Sequence, residues 1–148
     1  MKDDVFLVDT NILVYSYDAS EPDKQRICSI LLKKCWAQET SYAIALQNLS
    51  EFYVVVTKKI DNPLSKEIAK NIINDIIEFN NWQVLELNET SIITAIDLSI
   101  KYNIHYWDAI LCATMKQNGI TNVFTENTKD IGKIPWITAV NPFIEFNK

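Results

Sequence analysis

Four apolar residues in a row, Val5-Phe6-Leu7-Val8, stop abruptly at Asp9-Thr10-Asn11. So short and continuous a run fits a strand covered on both faces, as in a parallel sheet flanked by helices. A helical turn follows from Ile12 through Tyr17. Ser20-Glu21-Pro22-Asp23 then reads as a helix start, with Ser20 as N-cap and Pro22 in the first turn. Ile27, Leu31 and Cys35 recur four apart on one face of that helix. An extended segment from Tyr42 to Ala45 leads into a stretch, Leu46 to Ile60, whose valines suit a strand. Gln47, Asn48, Ser50 and Glu51 break any period of two there, so the pattern predicts a helix.

Asn62-Pro63 ends that helix and Ser65 opens the next, where Ile68, Ile72, Ile73, Ile76 and Ile77 form an amphipathic stripe. Trp82 to Leu87 reads as a strand and Asn88 as a cap. Ile92, Ile93, Ile96 and Ile100 are expected on the inner face of the helix that follows. Trp107 to Asn118 predicts a further helix closed by Gly119. Asn122 to Thr125 and Trp136 to Val140 read as the last strands. Strands alternating with helices indicate an α/β fold, a three-layer α/β/α sandwich with a mostly parallel central sheet.

Composition narrows this. At 148 residues and 48% apolar, the chain fits a single domain over residues 1–148 with a substantial core. Two glycines, four prolines and no repetitive tract leave no linker in sight. No apolar run reaches the roughly 18 residues of a membrane span, and Met1-Lys2-Asp3-Asp4 lacks a signal-peptide core, so a cytoplasmic protein is expected. Cys28, Cys35 and Cys112 are odd in number and unpaired in spacing, which points to buried thiols rather than disulfides or zinc. The single histidine, His105, is expected to have a surface or packing role. A net charge of −5 argues against a generally basic nucleic-acid-binding surface, although acids gathered at one place bind cations that in turn hold phosphates.

The acids are the candidate chemistry. Asp9 stands at a strand tip, where ligands of parallel sheets bind, though a residue there also caps the helix that follows. Glu51 lies among Leu49, Phe52, Tyr53, Val54 and Val55, so its carboxylate is expected to be at least partly buried, unless it shares an exposed polar face with Gln47 and Lys58. Asp108 begins a helix, where the helix dipole alone accounts for an acid. Thr125-Glu126-Asn127-Thr128-Lys129-Asp130 places further acids at a second strand tip, while Asp97 reads as a solvated or helix-pairing residue. Carboxylates converging from separate stretches, without histidine or thiolate clusters, suit hard oxygen-seeking Mg²⁺ or Mn²⁺, ions capable of phosphodiester hydrolysis.

Four stretches together resemble the PIN-domain nucleases: Val8-Asp9-Thr10-Asn11, Leu49-Ser50-Glu51-Phe52-Tyr53, Trp107-Asp108-Ala109-Ile110, and Phe124-Thr125-Glu126-Asn127 with Asp130. The ending Val140-Asn141-Pro142-Phe143 is similar to that of one subgroup. The resemblance implies a PIN-like sandwich and the activity of VapC-type toxins, which are Mg²⁺- or Mn²⁺-dependent ribonucleases held in check by a cognate antitoxin protein and usually homodimeric. It makes Asp9, Glu51 and Asp108 metal ligands, with Thr10 and Asn11 orienting the first acid. Relatives commonly carry Asp where this chain has Asn127, and Asp130, or else Glu126, is expected to supply the missing charge. The altered fourth acid also fits a catalytically silent PIN-like module that binds RNA or protein. A haloacid-dehalogenase phosphatase would need a second Asp at the position of Asn11.

Overall fold

Side chains alternate across a strand, so a strand buried on both faces feeds two separate cores. The computed structural model describes residues 4–145. Its order is β1 (Phe6–Val8), α1 (Thr10–Tyr15), α2 (Pro22–Trp36), β2 (Tyr42–Ala45), α3 (Leu46–Lys58), α4 (Lys66–Glu78), β3 (Trp82–Leu85), α5 (Glu89–Tyr102), α6 (Tyr106–Gln117), β4 (Asn122–Phe124), α7 (Thr128–Ile131), β5 (Thr138–Val140) and α8 (Pro142–Glu145). The five strands form one sheet in the order β3-β2-β1-β4-β5, and every neighbouring pair is parallel. Leu7, Ala43 and Val123 face a core completed by α5 and α6. Val8, Ile44 and Phe124 face the other core, built with α1, α2, α3 and α4. The result is the expected three-layer α/β/α sandwich.

Strand order places the site. From β1 the chain moves to β2 and β3 on one side, and β4 returns on the other, so the order reverses at β1. The crevice outside the carboxyl ends of strands at such a reversal is where open α/β sheets bind ligands. Asp9 follows β1 at that point, and its amide donates to the Phe124 carbonyl (3.1 Å), extending the β1–β4 ladder by one rung.

Three local expectations need correction. The N-cap of α2 is Glu21 rather than Ser20. Ser20 is drawn instead to Asp18, whose Oδ1 accepts from its amide (3.1 Å) and its hydroxyl (2.6 Å). The isoleucines of α5 do not form its inner face: Ile92, Ile93, Ile96 and Ile100 are exposed, Ile100 at 76%, whereas Ser91, Ala95 and Leu98 are buried. A capping box fixes the helix's first turn, with Asn88 accepting from the Ser91 amide, and the small Ala95 lies at the packed interface with α6. The stripe of α4 divides similarly, with Ile76 fully buried and Ile68 and Ile77 half exposed.

The valine-rich segment is helical, and all three cysteines are buried, as expected. Gly119 follows α6 with φ of +68°, the left-handed conformation that glycine adopts without steric cost. Asn103 ends α5 in the same region, at φ 52°.

Candidate active site

Two threonines and an asparagine hold the first acid. Asp9 caps α1, its Oδ1 accepting from the Thr10 amide at 2.8 Å. Thr125, fully buried just past β4, donates its hydroxyl to Oδ2 (2.8 Å). The Asn48 amide approaches Oδ1 at 3.5 Å and donates to Thr10 Oγ1 at 3.0 Å, while its oxygen accepts from the Ala45 amide at 3.0 Å. Thr10 passes the chain on by donating to Glu51 Oε2 at 2.9 Å. Capping and placement at the sheet's carboxyl edge are thus properties of one residue, Asp9.

Burial is the chief reason that the Asp9 carboxyl is pushed up from 3.8 to about 6. The hydrogen bonds from Thr125 and Thr10 pull the other way, and the charges of Asp108 and Glu51 add to the rise. The acids therefore feel one another through the crevice. Asp108, in the first turn of α6, is raised by burial and then by Asp130, with His105 and the Asn127 amide opposing and Glu51 adding. Beneath them the buried Cys112 thiol is pushed up to about 12, by burial first and then by Asp108 and Asp9, so it is held neutral.

Glu51 is not buried as its apolar neighbours suggested; it is exposed on α3. Phe52 and Val56 turn fully inward and leave the Gln47–Glu51 side of the helix facing the crevice. Hydrogen bonds hold the carboxylate instead, from Thr10 to Oε2 and from Gln47 Nε2 to Oε1 (2.9 Å). Asn11 is exposed and makes no side-chain hydrogen bond among the described residues, so orientation falls to Thr10. Neither Asn48 nor Thr125 nor Gln47 stood out in the sequence as a site residue, and a polar asparagine inside an apolar helix was the available signal for the first.

The fourth stretch splits in two. Glu126 turns away from the crevice: its Oε1 accepts from the Tyr15 hydroxyl (2.8 Å) and its Oε2 pairs with Lys24 (2.9 Å). The Lys24 ammonium also lies over the rings of Tyr15 and Phe143, binding α8 to α1 and α2. Asn127 turns inward, donating its amide to Asp108 Oδ2 at 2.9 Å. Asp130, on α7, acts on Asp108 by charge and pairs with Lys133 at 3.4 Å.

These donors are oxygens, a hard set suited to Mg²⁺ or Mn²⁺. Asp9, Glu51 and Asp108 have no lysine or arginine partner among the described residues. No three acid, histidine or cysteine side chains converge closely enough to enclose a cation among those residues. An open site of one or two carboxylates fits Mg²⁺, which keeps much of its hydration shell.

Residues 6–136 match the family model described as PIN domain. The fold is shared with a toxin–antitoxin complex from Klebsiella pneumoniae, at 23% identity, a TM-score of 0.66 and coverage of 93% of this chain and 97% of that one. It is also shared with VapC20 of Mycobacterium tuberculosis, described as a sarcin–ricin-loop-cleaving toxin, at 15% identity, a TM-score of 0.61 and coverage of 86% and 93%. FitAB bound to an IR36 DNA fragment gives 16% identity, a TM-score of 0.71 and coverage of 94% and 96%. A 50-residue stretch, 34% of this chain, is 36% identical to part of the isoleucine–tRNA ligase of Buchnera aphidicola subsp. Schizaphis graminum, of which it spans only 5%.

Proposed function

This chain belongs to the PIN domain family, and from the acids of α3 and α6 gathered beside Asp9 at the β1 tip we propose that it is a Mg²⁺- or Mn²⁺-dependent endoribonuclease. Its reaction is hydrolysis of phosphodiester bonds in single-stranded RNA, and its setting that of a cytoplasmic toxin paired with an antitoxin protein. One observation carries the reading. Asp9 is partly buried beside two further acids, and only neutral donors contact it. Burying a charge without a counter-charge is costly, and a divalent cation removes that cost.

Asp9, Glu51 and Asp108 would hold the cation between them, one or two carboxylates directly and the rest through its hydration shell, and Asp130 would add the charge that Asn127 lacks. Thr10, Thr125 and Asn48 donate to the acid oxygens and keep their lone pairs aimed at the crevice. When bound, such an ion activates water for in-line attack on phosphorus and neutralises the charge that develops. Two further features bear on partners. The exposed isoleucines of α5 supply an apolar face for a homodimer, since contiguous apolar patches mark association surfaces. An acidic crevice favours an antitoxin segment that inserts an arginine or lysine. No helix among the described residues is long and apolar enough to cross a membrane.

A second reading rests on Asn127, whose amide already satisfies one oxygen of Asp108 in place of a charge. It makes the chain a silent PIN-like module that binds RNA or protein without cutting. Purified protein incubated with single-stranded RNA decides between them. Cleavage with Mn²⁺ that stops in EDTA is expected; binding without cleavage at any Mn²⁺ concentration supports the silent module, and cleavage that survives EDTA after repurification refutes the metal mechanism.

A further inference from the structure

Gln47 has a side-chain amide whose two ends are treated unequally. Its Nε2 donates to Glu51 Oε1 (2.9 Å), one turn along α3, and to the main-chain carbonyl of Trp107 (3.2 Å) in the first turn of α6. Its Oε1 is buried and finds no donor among the described residues. A buried acceptor left unpaired is uncommon in folded proteins and asks for a reason. Turning the amide over would leave both acceptors facing an oxygen, so Glu51 and Trp107 fix its orientation at the expense of Oε1. A Gln–Glu pair four residues apart on a helix surface is ordinary by itself. The second contact is not, because it crosses sixty residues and ends on the residue next to Asp108.

We infer that Gln47 is a positioning residue, a clamp that sets the Glu51 carboxylate relative to Asp108 across the crevice and so prepares both for one divalent cation. The inference rests on the metal-dependent reading above. Glu51 needs such a clamp more than its partners do. Asp9 is partly buried and fixed by a backbone amide and the Thr125 hydroxyl, whereas Glu51 is exposed on a long, rotatable side chain. Its two oxygens each receive one donor, Thr10 on Oε2 and Gln47 on Oε1, and together these fix the plane of the carboxylate. Removing Gln47 leaves Glu51 free to rotate about its bond to Thr10.

The test is Mn²⁺ binding to the full chain, followed by electron paramagnetic resonance at a temperature where circular dichroism shows each variant folded. Gln47→Met keeps the size and removes both donors. It is expected to weaken Mn²⁺ half-saturation about tenfold, in line with the ~10- to 100-fold worth of groups that orient metal ligands, and excess Mn²⁺ should restore RNA cleavage. Gln47→Glu sharpens the sign. An added carboxylate near a cation site strengthens Mn²⁺ binding if Gln47 is only a spacer, and weakens it if the amide donors matter. Wild type that binds Mn²⁺ together with a Gln47→Met variant of equal affinity overturns the clamp and leaves the proposed function standing. Tighter binding by Gln47→Glu than by wild type also overturns it. Wild type that binds no Mn²⁺ takes down the metal reading and the clamp with it.

Discussion

The two halves of the crevice are built on different principles. On the β1 side, Asp9 is partly buried at a strand tip and fixed by a backbone amide, the Thr125 hydroxyl and Asn48, all neutral and all from buried residues. On the α7 side, Asp108 takes an amide from Asn127, and Asp130 sits on a four-residue helix beside its own lysine. Rigid neutral donors keep a carboxylate aimed without satisfying its charge. A lysine at 3.4 Å partly satisfies it. The first half should therefore decide whether a cation binds at all, and the second how tightly.

The sharpest break of this contrast is Asp9→Asn. Even groups that merely orient metal ligands are worth about 10- to 100-fold, so loss of this carboxylate should cost more than about 100-fold in Mn²⁺-dependent cleavage. Stability should move the other way. Because the folded carboxyl titrates near 6 instead of 3.8, the folded state holds its proton more tightly, and the metal-free protein loses stability as pH rises between those values. Above them the penalty is complete, at ~3 kcal/mol. In EDTA at neutral pH, Asp9→Asn should then melt no lower than wild type, and below pH 4 the difference should vanish. Chemical denaturation in EDTA at three pH values measures this; a variant that unfolds well before wild type at pH 7 would mean that the cap on α1 outweighs the buried charge.

Thr125→Val asks whether the neutral donors act as claimed. It keeps the shape at a fully buried position and removes the hydrogen bond that holds the Asp9 carboxyl down. Cleavage should fall about 10- to 100-fold, and the acid limb of the pH–rate profile should shift upward, because ionising Asp9 becomes harder. A fall in rate with no shift of that limb would place Thr125 outside the electrostatics of the site.

How far these halves could be read from sequence follows the range of the interactions. The Val5–Val8 run ending in Asp9 announced a buried strand and an acid at its tip, because strand, burial and cap are all local signals. Glu51 was placed on the right helix with its burial left open, and the exposed face with Gln47 is the reading that holds, since apolar neighbours in sequence do not say which way one side chain of α3 turns. On α5, hydrophobicity chose the isoleucines for the inside. Packing chose Ser91, Ala95 and Leu98, because a small residue allows close approach to α6 and the capping box at Asn88 sets the rotation. Thr125 stood inside the fourth stretch without a role, as its partner lies 116 residues away.

The smallest effects belong to the α7 side, where Asp130→Asn is set against Glu126→Gln. Asn127 and Asp130 are three residues apart, with Asn127 at the N-cap of α7 and Asp130 in its first turn. The field of Asp130 reaches Asp108, while Lys133 draws part of it away. Replacing Asp130 should thus weaken Mn²⁺ half-saturation by about fivefold, an electrostatic loss of ~1 kcal/mol as suits a partly exposed charge whose field reaches Asp108, and leave the cleavage rate at saturating Mn²⁺ nearly unchanged. Glu126 has no such field on the acids, because Lys24 and Tyr15 hold its carboxylate on the far side of the β4 tip. Its substitution should spare Mn²⁺ binding and cost at most ~1 kcal/mol of stability, the usual worth of a partly exposed ion pair. A large loss of metal binding in Glu126→Gln, with none in Asp130→Asn, would exchange their roles. It would also require the Lys24 pair to open when the ion binds, which salt titration of the metal-free and metal-loaded protein would reveal, since a broken surface pair no longer responds to screening.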